Sequence, residues 1–250
     1  MGAVEIKDNE PDSVRSAVTR RAAFRLVGSM PVLVLASCNS APRTIRYRMT
    51  VEVETPEGLR MGSSVMETRA SYNDGFLKGL GNAVFFGTRG EAVVVDLGDR
   101  GLLFVLLKGD PARKGSGDPF DVFSRLHRVL WDWDGIGPGA MDRMAKVRGK
   151  TAVPIDMVPL LVRFRDIGDI ETAERIDPND LAKSFGANVV LKQVSFEITR
   201  DLVSYGVQEK LPWWNGPFLW LKPLGNGIYI DTRMDKFKVT KDQFSQGSQL

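Results

Sequence analysis

The sequence predicts an α+β fold: an antiparallel β-meander covered by helices, with a mixed helix and strand second half. Three observations carry this reading. Residues 45–54 alternate strictly between apolar and polar. Short apolar segments separated by turn residues follow. A proline-initiated amphipathic stretch then begins at Asp118.

Ile45, Tyr47, Met49, Val51 and Val53 alternate with Arg46, Arg48, Thr50, Glu52 and Glu54, the period of a strand with one buried and one wet face. Thr55-Pro56-Glu57-Gly58 suits a tight turn, with proline presetting its second position, so a second strand is expected within Met61–Ser71. The segments 83–86, 91–97 and 102–107 extend the hairpin into a meander, punctuated by Thr88-Arg89-Gly90 and Gly98-Asp99-Arg100-Gly101. Such a sheet needs a cover. Asp118-Pro119 supplies an N-cap and a first-turn proline, and Phe120, Phe123, Leu126, His127 and Leu130 recur at helical spacing behind them.

Gly135, Gly137, Pro138 and Gly139 mark a break before a shorter helix through Met141, Met144 and Ala145. Val158–Arg165 and Val189–Thr199 are expected strands. Between them Asp177-Pro178-Asn179-Asp180 can cap a short helix that ends at Phe185-Gly186. A small helix is expected within Leu202–Lys210, and the polar tail after Phe244 is expected to fray. The implied organisation is an export signal over 1–37, a tether over 38–44, one α+β domain over 45–244 and a frayed tail over 245–250.

The N-terminal region speaks of location. Arg20, Arg21 and Arg25 precede an apolar run from Leu26 to Ala36, which closes on Leu35-Ala36-Ser37-Cys38 with the single cysteine of the chain. A basic region, a short apolar core and small residues at the cut form an export signal, and the terminal cysteine makes it one of the lipoprotein type. The run falls short of the ~20 residues that span a bilayer, and Pro31 interrupts it. An amphipathic helix packed on the domain accounts for Phe24, Leu26 and Val27, but not for the small-small-cysteine end. The acidic leader before Thr19-Arg20-Arg21 resembles a twin-arginine signal, although Ala23 displaces Phe24 by one position. A start codon placed upstream of the true one explains the leader equally well. Asn39 after the cysteine favours the outer membrane, the domain facing the periplasm.

The 34 basic and 31 acidic side chains are interspersed along the chain. No basic stripe tracks a phosphate backbone, which argues against nucleic acid as partner. With Cys38 lipidated, neither a disulfide nor a cysteine-based metal site remains, and no cofactor motif is present: Gly79-Leu80-Gly81 lacks a third spaced glycine and there is no Walker lysine. No Gly-x-Ser-x-Gly pentapeptide occurs, and Gly115-Ser116-Gly117 reads as a connector before the Asp118 cap.

His127, the one histidine, falls by its spacing to Phe123 and Leu130 on the core side of its helix, so a structural imidazole is expected. Asp132 with Asp134, and Asp166 with Asp169, could divide acid and base roles, but both pairs sit beside glycine-containing turns, which capping explains. All five tryptophans fall in the second half. Trp213 and Trp214 lie in a proline- and glycine-rich segment and form the candidate interface, with Trp214 the more exposed if the segment is extended.

Arg46–Gly58, Gly62-Ser63-Ser64-Val65, Asp177–Gly186 and Leu211-Pro212-Trp213 together resemble a family of uncharacterised bacterial envelope lipoproteins with no assigned activity. That resemblance implies an N-terminal anchor and supplies no mechanism. The reading is a membrane-anchored lipoprotein that binds an envelope partner without catalysis. The rival is a carboxylate-based envelope hydrolase acting on lipid, glycan or peptide. Oligomeric state is left open.

Overall fold

A computed structural model describes residues 42–72, 84–128, 138–215, 221–225, 228–231 and 241–246. The export signal, Cys38, Asp132, Asp134, Trp131, Trp133 and Trp220 lie outside the described residues.

The architecture is mainly β, and α+β only loosely. Strands β1 (Arg43–Thr55), β2 (Gly58–Tyr72) and β3 (Val84–Glu91) form the expected meander. The chain then leaves that sheet. β4 (Val93–Asp96) and β5 (Leu102–Val105) begin a second sheet, completed by β7 (Leu161–Phe164) and β8 (Ala173–Ile176) in the order β4-β5-β7-β8. The first sheet runs β12-β3-β2-β1-β9-β6, where β6 is Thr151–Ala152, β9 is Val190–Ile198 and β12 is Ser245–Gln246. All pairings are antiparallel. A separate hairpin joins β10 (Leu221–Gly225) to β11 (Ile228–Asp231).

The switch between sheets occurs at Gly90–Ala92. Gly90 has φ +134, a conformation strained for side chains with a Cβ, and the Ala92 N–H donates to the Phe244 carbonyl at 2.6 Å instead of to β2. Here the one-meander expectation fails, because an alternating apolar segment does not state which sheet it joins. Gly62 marks where the sheets approach: a Cβ there would lie 2.1 Å from the Val94 carbonyl oxygen.

Expected strand parity in β1 holds, with Ile45, Tyr47, Met49, Val51 and Val53 all buried. Helix α1 (Pro119–His127) covers that face as its pattern implied. Asp118 caps it by accepting from the Asp121 N–H at 2.8 Å, and Phe123 stacks on Tyr47 at 5.2 Å. Burial holds the Tyr47 phenol above its ordinary range. Helix α2 (Pro138–Met144) adds Ala140, Met141 and Met144 to the same core. Helices α3 (Ala182–Phe185) and α4 (Lys241–Phe244) have one turn each.

The second core lies on the opposite face of the small sheet. Phe104, Leu106, Val162, Ile170, Val207 and Phe244 are buried there. Three further expectations change. Of the helix expected over Leu202–Lys210, only a 3-10 turn, Val207–Lys210, forms. Ser245 and Gln246 do not fray but pair with Glu91 and Gly90 as β12. The first strand begins at Arg43, inside the expected tether.

Candidate ligand-binding cleft

An open cleft of about 890 Å³ lies beside β8, the outermost strand of the small sheet. One wall is the turn at Asp110–Arg113. The other is Asp177–Ser184, which includes the Asp-Pro-Asn-Asp motif and α3. Its volume is that of a ligand site, but its lining is charged where small-molecule pockets are usually apolar.

Asp110 organises the first wall. It is 4% exposed, and a buried carboxylate needs partners to offset its lost hydration. One oxygen accepts from the Ala112 N–H at 3.0 Å and Arg175 Nη1 at 3.4 Å, the other from Arg113 Nε at 3.1 Å. Arg113 in turn donates to the carbonyls of Ile155, Val158 and Pro159. Ser116 Oγ accepts from the Asp110 N–H and donates to the Val158 carbonyl, so the Gly115-Ser116-Gly117 connector is a structural clasp.

Across the cleft, Arg163 and Glu174 face each other on β7 and β8 with Nε to Oε2 at 2.8 Å, and Arg165 takes the other carboxylate oxygen at 2.9 Å. Arg163 also donates to the Ser184 carbonyl and lies over the Phe185 ring, fastening α3 to the sheet. Asp177 Oδ1 accepts from the Asn179 N–H, and Asp180 Oδ1 from the Lys183 N–H. Gly186 then ends the helix at φ +96. The motif therefore does the capping its residues predicted while also forming a wall of the cleft, which the sequence reading missed. The available signal was the charged content of two four-residue strands, Leu161-Val162-Arg163-Phe164 and Ala173-Glu174-Arg175-Ile176, unusual for buried sheet.

The residues singled out from sequence lie elsewhere. His127 packs on Phe123 at 4.8 Å, and burial lowers its pKa below the ordinary value. Its Nε2 is buried with no hydrogen-bond partner among the described residues. Asp166 and Asp169 accept from the N–H groups of Gly168 and Glu171, the turn role expected of them. Trp213 and Trp214 occupy a 3-10 turn, Pro212–Asn215, not the extended segment on which the greater exposure of Trp214 depended. Both are half-buried against the second core. Trp213 lies 5.6 Å from Phe164, 5.8 Å from Phe244 and 6.1 Å from Trp214.

Among the described residues no three His, Cys, Asp or Glu side chains are placed to hold a metal ion, and no helix is long and apolar enough to cross a membrane. No protein-family model, no curated protein and no solved structure matches this chain.

Proposed function

We propose that the protein is a lipid-anchored, non-enzymatic binding protein of the bacterial cell envelope, held to the membrane through Cys38 and engaging its partner in the cleft beside β8. The observation that carries the anchor is the apolar run Leu26–Ala36 closing on Leu35-Ala36-Ser37-Cys38 behind Arg20 and Arg21. Diacylglyceryl transfer to the thiol and cleavage before Cys38 leave Asn39 as the second residue, which favours the outer membrane. β1 begins five residues later at Arg43, so the tether reaches at most about 18 Å and keeps the domain at the bilayer surface. The resemblance of Arg46–Gly58 and Asp177–Gly186 to uncharacterised envelope lipoproteins points the same way.

A binding role is supported by how the cleft's charged groups are used. Asp110, Glu174 and Arg113 are saturated by partners that hold the walls in place, leaving a rigid frame rather than a reactive pair. His127 sits on α1 against Phe123, on another element.

The anchor is tested by metabolic labelling with a fatty-acid probe and membrane fractionation. Wild-type protein should carry the label and sediment with membranes, and Cys38→Ser should do neither. A Cys38→Ser protein that still labels and sediments sinks the assignment. Two acyl chains are needed for stable attachment, so a singly acylated product should be released by washing.

A further inference from the structure

We infer that the cleft takes an extended, charge-bearing peptide, which pairs with the open edge of β8 as a fifth strand of the small sheet. This rests on the binding role proposed above and names the chemistry of the partner.

The first observation is the backbone. In an antiparallel ladder, residues alternate between those that bond to the neighbouring strand and those whose N–H and C=O point away from it. The Arg165 N–H donates to the Thr172 carbonyl, and two steps along the same ladder Arg163 faces Glu174. Glu174 is therefore bonded toward β7, and the N–H and C=O of Ala173 and Arg175 point to the open edge. The N–H of Ala173 is used by the Ile170 carbonyl. The backbone groups of Arg175 have no partner among the described residues, and they border the cleft.

The second observation is the charge that remains unpaired around that edge. Among the described residues Arg175 makes one ion-pair contact, to Asp110 at 3.4 Å, and its side chain is 43% exposed, so its guanidinium keeps donors for a ligand. Lys183 Nζ has no partner among the described residues. Asp177 and Asp180 each turn Oδ1 into their own loop, and Oδ2 of each has no partner among the described residues. The unused groups are thus two cations, two carboxylate oxygens, one N–H and one C=O. A simple anion would satisfy only the cations and would face Asp177 and Asp180. A metal ion would meet Arg175 and Lys183. An extended peptide with acidic and basic side chains satisfies all of them, its backbone on Arg175 and its charges on the walls. β8 is only four residues long and flanked by charges, a form of edge that discourages indiscriminate sheet pairing.

The test uses the full chain carrying Cys38→Ser, so that it runs in solution and is independent of lipidation. The probe is a fluorescein-labelled hexapeptide of alternating glutamate and lysine, followed by anisotropy. Saturable binding is expected. Methylating the backbone nitrogens on one edge of the peptide should weaken it at least about tenfold and methylating those on the other edge should not, because only the edge that faces β8 loses paired N–H groups while the charges stay. Lys183→Met should weaken it about tenfold as well, and Lys192→Met, at an exposed position of β9 that does not line the cleft, should not. Because the N-methylated probes leave the protein unaltered, the conclusion survives any variant that folds poorly. Absence of binding up to millimolar peptide, indifference to N-methylation, or equal affinity in Lys183→Met would each overturn the proposal. Full displacement by inorganic pyrophosphate together with indifference to N-methylation would mark a small-anion site instead. None of these outcomes bears on the Cys38 anchor, whose own test is labelling and fractionation.

Discussion

The two cores of this protein differ in how they are assembled. The first fills the space between the large sheet and α1, α2 and the near face of the small sheet. Its centre is Tyr47, Phe123 and Phe196, packed with ring centroids 5.2–5.8 Å apart. These rings sit on regular elements whose apolar faces are periodic. The second core is an aromatic cap on the small sheet, in which Phe104 and Phe164 meet Phe244 and Trp213. Its outer half comes from a 3-10 turn and one turn of helix near the C-terminus. Those segments are held by single bonds such as Val207 N–H to Glu91 Oε2 at 2.6 Å and Leu107 N–H to the Gln243 carbonyl at 2.7 Å. A core closed by regular elements unfolds with the domain, whereas one closed by short segments can open locally first.

The largest expected effect is on the first core. Phe123→Ala should cost about 3–5 kcal/mol, because it empties the centre of the Tyr47–Phe196 cluster under a helix that cannot collapse onto a flat sheet. Urea denaturation should show a lower midpoint with one transition. A cost below about 1 kcal/mol would mean that α1 does not cover the sheet.

Gly62→Ala comes next, at about 2–3 kcal/mol, since its Cβ would strike the Val94 carbonyl oxygen, a backbone atom unable to swing away. It tests the contact between the sheets. A thermal midpoint equal to wild type would show that β2 and β4 do not approach as described.

Trp213→Ala should cost about 1–2 kcal/mol, less than a fully buried ring, and the loss should be local. Native-state hydrogen exchange should show faster exchange at Ala92 and Leu107, whose N–H groups bond to the Phe244 and Gln243 carbonyls, with β1 and β9 unchanged. Uniform loss of protection would make the two cores one cooperative unit and erase the contrast.

The smallest effect sharpens the comparison through pH. His127 is held below its ordinary pKa by burial, so the folded state binds fewer protons than the unfolded chain. That stability is present above the unfolded value of about 6.5 and is lost as pH falls through the folded value. His127→Leu should change stability by less than about 1 kcal/mol at pH 7.5, and the variant should be less acid-sensitive than wild type between pH 7 and 5. Parallel pH profiles for the two proteins would place the imidazole in solvent.

Legibility from sequence follows the same division. Strands β1 and β2, the Asp118-Pro119 helix start, the Asp180 cap and Gly186 end of α3 were all readable, because each depends on neighbours within a few residues. The placement of β4 was not, since Val93 and Val95 would alternate equally well beside β3 in either sheet. The cleft was readable only in fragments. Asp177 and Asp180 announced a cap, and nothing local connected them to Asp110 or Arg175, 65 residues apart and joined at 3.4 Å. The backbone at the tryptophan pair was not legible, because a proline- and glycine-rich segment does not distinguish an extended chain from the 3-10 turn that forms.

By itself the sequence determined that β1 and β2 form a hairpin, where α1 starts and α3 stops, and which face of β1 is buried, all consequences of side-chain period and backbone preference. Tertiary structure alone decided that the chain divides into two sheets at Ala92, that the C-terminal aromatics close the second core, and that β8 is left with an open edge beside a charged cleft. Those outcomes depend on which surfaces meet. A local pattern states that a face must be covered, and only the packed chain determines by what.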